Sequence, residues 1–196
     1  MDIESLRKLI TEVTERVSGR RILLFGSSSL FASFPNVPPA AIGTETTLDA
    51  DFFLDPDDVA SRARLLAYLG KEQEYHLTHG FYGDFVDLRM AEQFPAGWRG
   101  RLVPMPGFDN VLALHPLDMA VSKVVATASS RLDKRFGRRP ADRGLKDINT
   151  LVALIRCGRL EAAELERQVC ALDQTPALIA ECTGVLREVR ERTAGK

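Results

Sequence analysis

The sequence predicts an α+β chain in which a small mixed sheet with flanking helices precedes an all-helical C-terminal half. Two observations predict it. Short apolar runs of strand length, "RILLF" and "DFFL", sit among turn-rich stretches in the first part of the chain. From Pro116 onward helical periodicity recurs in segment after segment, and no run reads as a strand. The division expected from this change is a core over residues 1–114 and a helical region over 115–196.

In order along the chain, "DIESLRKLITEVTERV" places Ile3, Leu6, Leu9, Ile10, Val13 and Val17 at helical spacing, and Gly19 stops the helix. "RILLF" is a strand buried on both faces. Gly26 breaks it, and a short helix through Leu30 and Phe31 follows. "FPNVPPAAIGTE" is a loop by its prolines and glycine. Thr46 to Leu54 is rich in β-branched and aromatic residues and reads as a strand. Asp55-Pro56 then reads as an N-cap with proline at the first helical position, opening a helix to Leu69 that Gly70 ends. Two further strands are expected between His76 and Met90, with "DFVDLRM" the stronger, and "VLALH" is another. Helices are expected over Leu117–Ala128, Leu145–Arg156, Glu161–Leu172 and Pro176–Arg192.

The chain has 196 residues, 45% of them hydrophobic, which is enough to bury a core. No apolar run approaches the ~18 residues of a membrane span, and the N-terminus opens with acids, so no membrane association and a cytoplasmic location are expected. Cys157, Cys170 and Cys182 form no C-x-x-C pair and read as reduced. The formal net charge is −1, yet residues 1–119 stand at −6 and residues 120–196 at +5. "RLDKRFGRRPADRGLK", Arg131 to Lys146, holds seven bases against two acids. Such polarity concerns partners: the segment is either a solvated loop or a grip on a nucleic-acid backbone through residues such as Arg135, Arg138 and Arg139.

Two short motifs carry chemistry. Asp49 and Asp51, two apart on a strand, point to one face about 6.5 Å from each other. At an effective dielectric of ~20 their charges repel by ~2.5 kcal/mol. A divalent cation offsets this; Mg²⁺ (or Mn²⁺) takes one or two carboxylates and completes its shell with water and substrate phosphates. Asp87, or Asp84, on the neighbouring strand would let a second ion bind. Gly26, Ser27 and Ser28 supply the complement: glycine admits a phosphate close to the backbone, and hydroxyls and helix-start N–H groups donate to it. Taken singly, the D-x-D also fits an exposed edge strand and the Gly-Ser an ordinary tight turn. His76 and His79, three apart in a strand, would face opposite ways, which argues against zinc.

The ordered set of Gly26-Ser27, "TTLDAD" and a third acid at Asp87 resembles the nucleotidyltransferase superfamily that includes DNA polymerase beta. More closely it is similar to AbiEii-type toxins and their prokaryotic relatives. "PAGWRGRL", Pro95 to Leu102, resembles an element that follows the third-acid strand in some relatives. "LDMAVSKVVA" brings Lys123 to the place of a family lysine, and "RGLKDINTLVAL" resembles the final motif, with Asp147 its acid. The resemblance implies a nucleotidyltransferase-type fold and Mg²⁺-dependent transfer of an NMP from an NTP to an acceptor hydroxyl. It implies Asp49, Asp51 and Asp87 as metal ligands and catalytic groups, and Gly26, Ser27, Ser28, Lys123 and Asp147 as nucleotide contacts. The basic segment favours RNA, the tRNA 3′ end above all, as acceptor. A toxin-antitoxin or phage-defence role, with a cognate antitoxin, follows from the resemblance alone. No basic residue follows the Gly-Ser turn where many AbiEii-type toxins have one, and Asn149 stands where several carry an acid. Transfer to a protein or small molecule, or a degenerate binding protein, are the alternatives. Lys123 itself is either a solvated lysine or an ammonium directed at a triphosphate.

Overall fold

The computed structural model describes residues 1–17, 19–45, 47–135 and 144–195, with the side chains of 92, 93, 134 and 135 outside the description. The fold is α+β, with one five-stranded mixed sheet and a helical C-terminal half. Two compact units divide the chain. The first comprises Met1–Ala40, Thr44–Glu92 and Arg99–His115; the second comprises Ala41–Gly43, Gln93–Trp98 and Pro116–Lys196. The second unit thus takes in two short inserts that a boundary at residue 114 leaves out.

In the first unit, α1 (Ile3–Arg16) starts where the Asp2 carboxylate accepts the Ser5 N–H at 2.8 Å, and it buries Leu6, Leu9, Ile10 and Val13. β1 (Arg21–Phe25) is the central strand. It pairs antiparallel with β2 (Asp49–Asp55) and parallel with β5 (Val111–Ala113). β3 (Tyr82–Phe85) lies parallel on β2, and β4 (Val103–Pro104) antiparallel on β5, giving the order β3-β2-β1-β5-β4. Strand parity sorts the side chains. Ile22, Leu24, Ala50, Phe52, Leu54, Phe85, Val111 and Ala113 join one core cluster with the buried face of α1 and with Leu65 and Leu69 of α3 (Val59–Leu69). The other face carries Leu23, Phe25, Asp49, Asp51 and Phe53, with the Phe25 and Phe53 rings stacked at 4.0 Å.

Three expectations are corrected here. Asp55 is still in β2, the Asp55–Pro56 peptide is cis, and Asp58 is the cap of α3. Its carboxylate accepts the Ala60 N–H at 3.1 Å and the Ser61 hydroxyl at 2.7 Å, which fixes the helix start three residues later than the proline implied. Between His76 and Met90 there is one strand. His76–His79 belong to α4 (Glu74–His79), closed by Gly80 in the left-handed conformation with its N–H on the His76 carbonyl. Past Phe85 the "FVDLRM" alternation stops, because the Asp87 carboxylate accepts the Arg89 N–H at 2.9 Å and turns the chain into a 3₁₀ segment, Leu88–Gln93. β4 escapes sequence reading because it is two residues long and contains a proline, tolerated at a sheet edge.

The helical unit holds α5 (Pro116–Arg135), α6 (Gly144–Arg156), α7 (Ala162–Cys170) and α8 (Pro176–Ala194). α8 opens as read, with Thr175 accepting the Leu178 N–H and Pro176 in its first turn. α5 runs seven residues past the expected end at Ala128 and absorbs the start of the basic segment. The Thr150 hydroxyl of α6 donates to the Gly43 carbonyl at 2.9 Å, tying the first insert to this unit. Among the described residues no helix is long and apolar enough to cross a membrane.

Candidate functional site

β2 alternates Asp49, Asp51, Phe53 on one face with the fully buried Ala50, Phe52 and Leu54 on the other, which is why its two acids share a side. Phe25 of β1 lies opposite Asp51, so Gly26 is the next residue up the neighbouring strand. Gly26 has φ +64° and ψ −162°, a region that only glycine occupies without strain. A Cβ built there would stand 2.1 Å from Asp51 Oδ2. The glycine turn and the D-x-D are therefore in direct contact, and a larger residue at position 26 requires the Asp51 carboxylate to move.

The serines behave differently from the sequence expectation. Ser27, Ser28 and Ser29 form a 3₁₀ turn and are all buried. The Ser28 hydroxyl donates to the Phe25 carbonyl at 3.2 Å, and that of Ser29 to the Gly26 carbonyl at 2.8 Å. These two hydroxyls hold the turn. The helix behind it, α2 (Leu30–Ser33), is about one turn long, so it adds little of a full helix macrodipole.

β3 separates the two candidate acids, Asp84 and Asp87. In parallel register Tyr82 lies beside Asp49 and Asp84 beside Asp51, so Asp49, Asp51 and Asp84 share one face, with neighbouring strands about 4.8 Å apart. Asp87 falls two residues past the end of β3. Its carboxylate meets Arg89 at 2.5 Å and Arg62 of α3 at 3.5 Å. The Arg89 hydrogen bonds, reinforced by the Arg62 charge, hold its carboxyl well below the usual range. Arg62 also pairs with Asp57 at 2.8 Å, completing a network whose one sequence signal was the D-x-R spacing of a local turn. Among the described residues no group of three or more His, Cys, Asp or Glu is arranged to hold a metal ion.

In the helical unit Lys123 is buried, and its Nζ lies 2.5 Å from Asp147 Oδ1, joining α5 to α6. The two residues read separately as nucleotide contacts bind each other, and the solvated lysine is excluded. Arg135 ends α5, while Arg138 and Arg139 lie outside the described residues. His76 and His79, three apart on a helix, share a side rather than opposing each other. His76 Nδ1 accepts the Glu72 N–H at 3.0 Å, and the His79 ring packs 4.5 Å from that of Tyr75. Trp98 is a loop anchor, edge-on to Phe94 at 5.2 Å.

No family model, curated protein or solved structure matches the chain.

Proposed function

We propose that the chain is a metal-dependent nucleotidyltransferase with a nucleotidyltransferase-type sheet, moving an NMP from an NTP to an acceptor hydroxyl. The observation that carries this reading is the contact between the strained Gly26 backbone and the Asp51 carboxylate. It sets a residue without a side chain, able to admit a phosphate, against a pair of acids on one strand face. The donor set is oxygen only, which suits Mg²⁺ or Mn²⁺ and not zinc. Asp49 and Asp51 would hold the ion, and the absence of a three-residue cluster among the described residues is compatible with an ion that takes two carboxylates and completes its shell from water and phosphate. Asp84, by its register with Asp51, replaces Asp87 as the third acid. When bound, the ion supplies charge neutralisation at the phosphates. Gly26 would leave the space, its neighbouring backbone N–H groups would donate to phosphate oxygen, and Asp84 would accept the acceptor's proton.

RNA, in particular a tRNA 3′ end, is the acceptor favoured by the basic segment, and the toxin or phage-defence role with a cognate antitoxin rests on the family resemblance. The test is incubation with Mg²⁺, each labelled NTP in turn, and total RNA. Label is expected in RNA, removed by EDTA and reduced at least a hundredfold by Asp51→Asn, equivalent to ~2.7 kcal/mol of barrier. Label in added protein or in a small molecule would transfer the reading to those acceptors. No label anywhere, with NTP binding retained, would leave a degenerate binding protein.

A further inference from the structure

We infer that Tyr82 is the platform on which the acceptor lays its terminal base, with His76 as the residue that positions it. The inference rests on the nucleotidyl-transfer reading of the same sheet face and names the side from which the acceptor enters.

The layout of three strands carries it. β2, with Asp49 and Asp51, runs between β1 and β3. Gly26 follows the end of β1 on one side of the acid pair, while Tyr82 and Asp84 of β3 stand in register with Asp49 and Asp51 on the other. In phosphoryl transfer the attacking and leaving oxygens lie roughly in line through phosphorus. With the leaving diphosphate at the Gly26 turn, the acceptor hydroxyl approaches from the β3 side. Its oxygen bonds to the α-phosphorus, its proton passes to Asp84, and the bond to the diphosphate breaks toward Gly26. The rest of the acceptor then lies along β3. Of the two aromatic residues of that strand, Phe85 belongs to the core and Tyr82 shares the face of the acids.

Tyr82 is held in place from two directions. Its N–H donates to the Leu48 carbonyl at 3.1 Å, and the His76 ring stands 4.9 Å from its half-buried ring at an angle of 69°. A T-shaped contact of this kind covers at most one face of the tyrosine ring. His76 is fixed in turn, because its Nδ1 accepts the Glu72 N–H at 3.0 Å. Glu72 makes that bond from φ +66°, a conformation uncommon for a residue with a side chain. Leu48, 53% exposed at the same end of β2, adds apolar surface. Aromatic and apolar surface of this kind suits an unpaired base, whose ring face stacks whatever its identity. A serine or threonine acceptor brings no ring to lay there.

The experiment measures binding of short single-stranded RNA oligonucleotides by the full chain, with Mg²⁺ and without NTP, the 3′-terminal nucleotide being either intact or abasic. The parent is expected to bind the intact oligonucleotide about tenfold tighter, or ~1.4 kcal/mol, within what one base–aromatic stack contributes. Tyr82→Ala should erase that preference, Tyr82→Phe should keep it, and His76→Ala should shrink it. Once NTP is added, Tyr82→Ala should raise the KM for RNA about tenfold and leave kcat at saturating RNA unchanged, a split that a folding defect does not produce. Asp51→Asn should lose transfer and retain the preference for the intact end, so the two failures are read separately. Transfer that uses intact and abasic ends equally would overturn the inference and leave the transfer reading standing. A preference that survives Tyr82→Ala, or RNA binding undetectable at low salt, would overturn it as well.

Discussion

Glycine at position 26 is favoured twice over, by its backbone angles and by the carboxylate 2.1 Å from where a side chain would begin. Gly80 separates the two causes, since it is left-handed at φ +77° with nothing within 4 Å of an added Cβ. Gly80→Ala should cost only the ~1–2 kcal/mol of a left-handed residue. Gly26→Ala should exceed the ~1–3 kcal/mol of backbone strain, because Asp51 must also move. The overlap disappears when Asp51 is shortened, so Gly26→Ala and Asp51→Ala should be non-additive in denaturant melts, with a coupling of ~1 kcal/mol or more in favour of the double variant. Strict additivity would separate the turn from the acid pair and remove the contact on which the functional reading stands. The need for glycine was legible in the sequence as a break after a strand. Its cause was not, because the register that sets Phe25 beside Asp51 is a long-range fact.

At the scale of elements, β3 and the turn after it assign different work to two acids only three residues apart. Asp84 belongs to the strand and shares a face with Asp51, whereas Asp87 belongs to the turn and its arginines. Asp84→Asn should therefore reduce nucleotidyl transfer by more than Asp87→Asn does. Asp87→Asn should instead alter acid stability. Its carboxyl is depressed in the folded state, so its stabilisation is complete above an ordinary aspartate value of ~3.9 and fades as pH falls below it. The melting gap between parent and Asp87→Asn should thus be constant from pH 7 to about 5 and narrow progressively below about pH 4. A gap that does not narrow at all below pH 4 would mean the ionised carboxylate contributes nothing. Raised salt should narrow the gap at neutral pH, since Arg89 is largely exposed. Helices with an amphipathic stripe and a cap, α1 and α8, were legible almost to the residue because those signals are local. The α3 start and the single strand after His76 were not: Asp58 outbids Asp55 as cap, and the Asp87 turn overrides an apolar alternation that otherwise reads as strand.

For the whole molecule the informative quantity is its charge division, −6 over residues 1–119 and +5 over 120–196. One base of the basic segment, Arg131, is already held in an ion pair. Arg131 is neutralised within the helical unit by Glu188 at 2.5 Å and by Glu181 at 4.0 Å. Of the other six bases of the segment, Arg135, Arg138 and Arg139 are the ones the sequence offers as a grip on a polyanion. If the acceptor is RNA, each phosphate they neutralise on a single strand adds about −0.7 to the slope of log K against log salt. Replacing all three by Ala should flatten the slope by up to ~2 units. Sequence preference should stay as it was, because phosphate contacts position a strand without reading its bases. Arg131→Ala should leave the slope unchanged and lower the melting temperature, since its charge is already answered by carboxylates that would be left without it. A slope that ignores the triple change but responds to Arg131→Ala would place the RNA contact elsewhere on the helical unit. RNA binding undetectable even at low salt would pass the acceptor role to a protein or a small molecule.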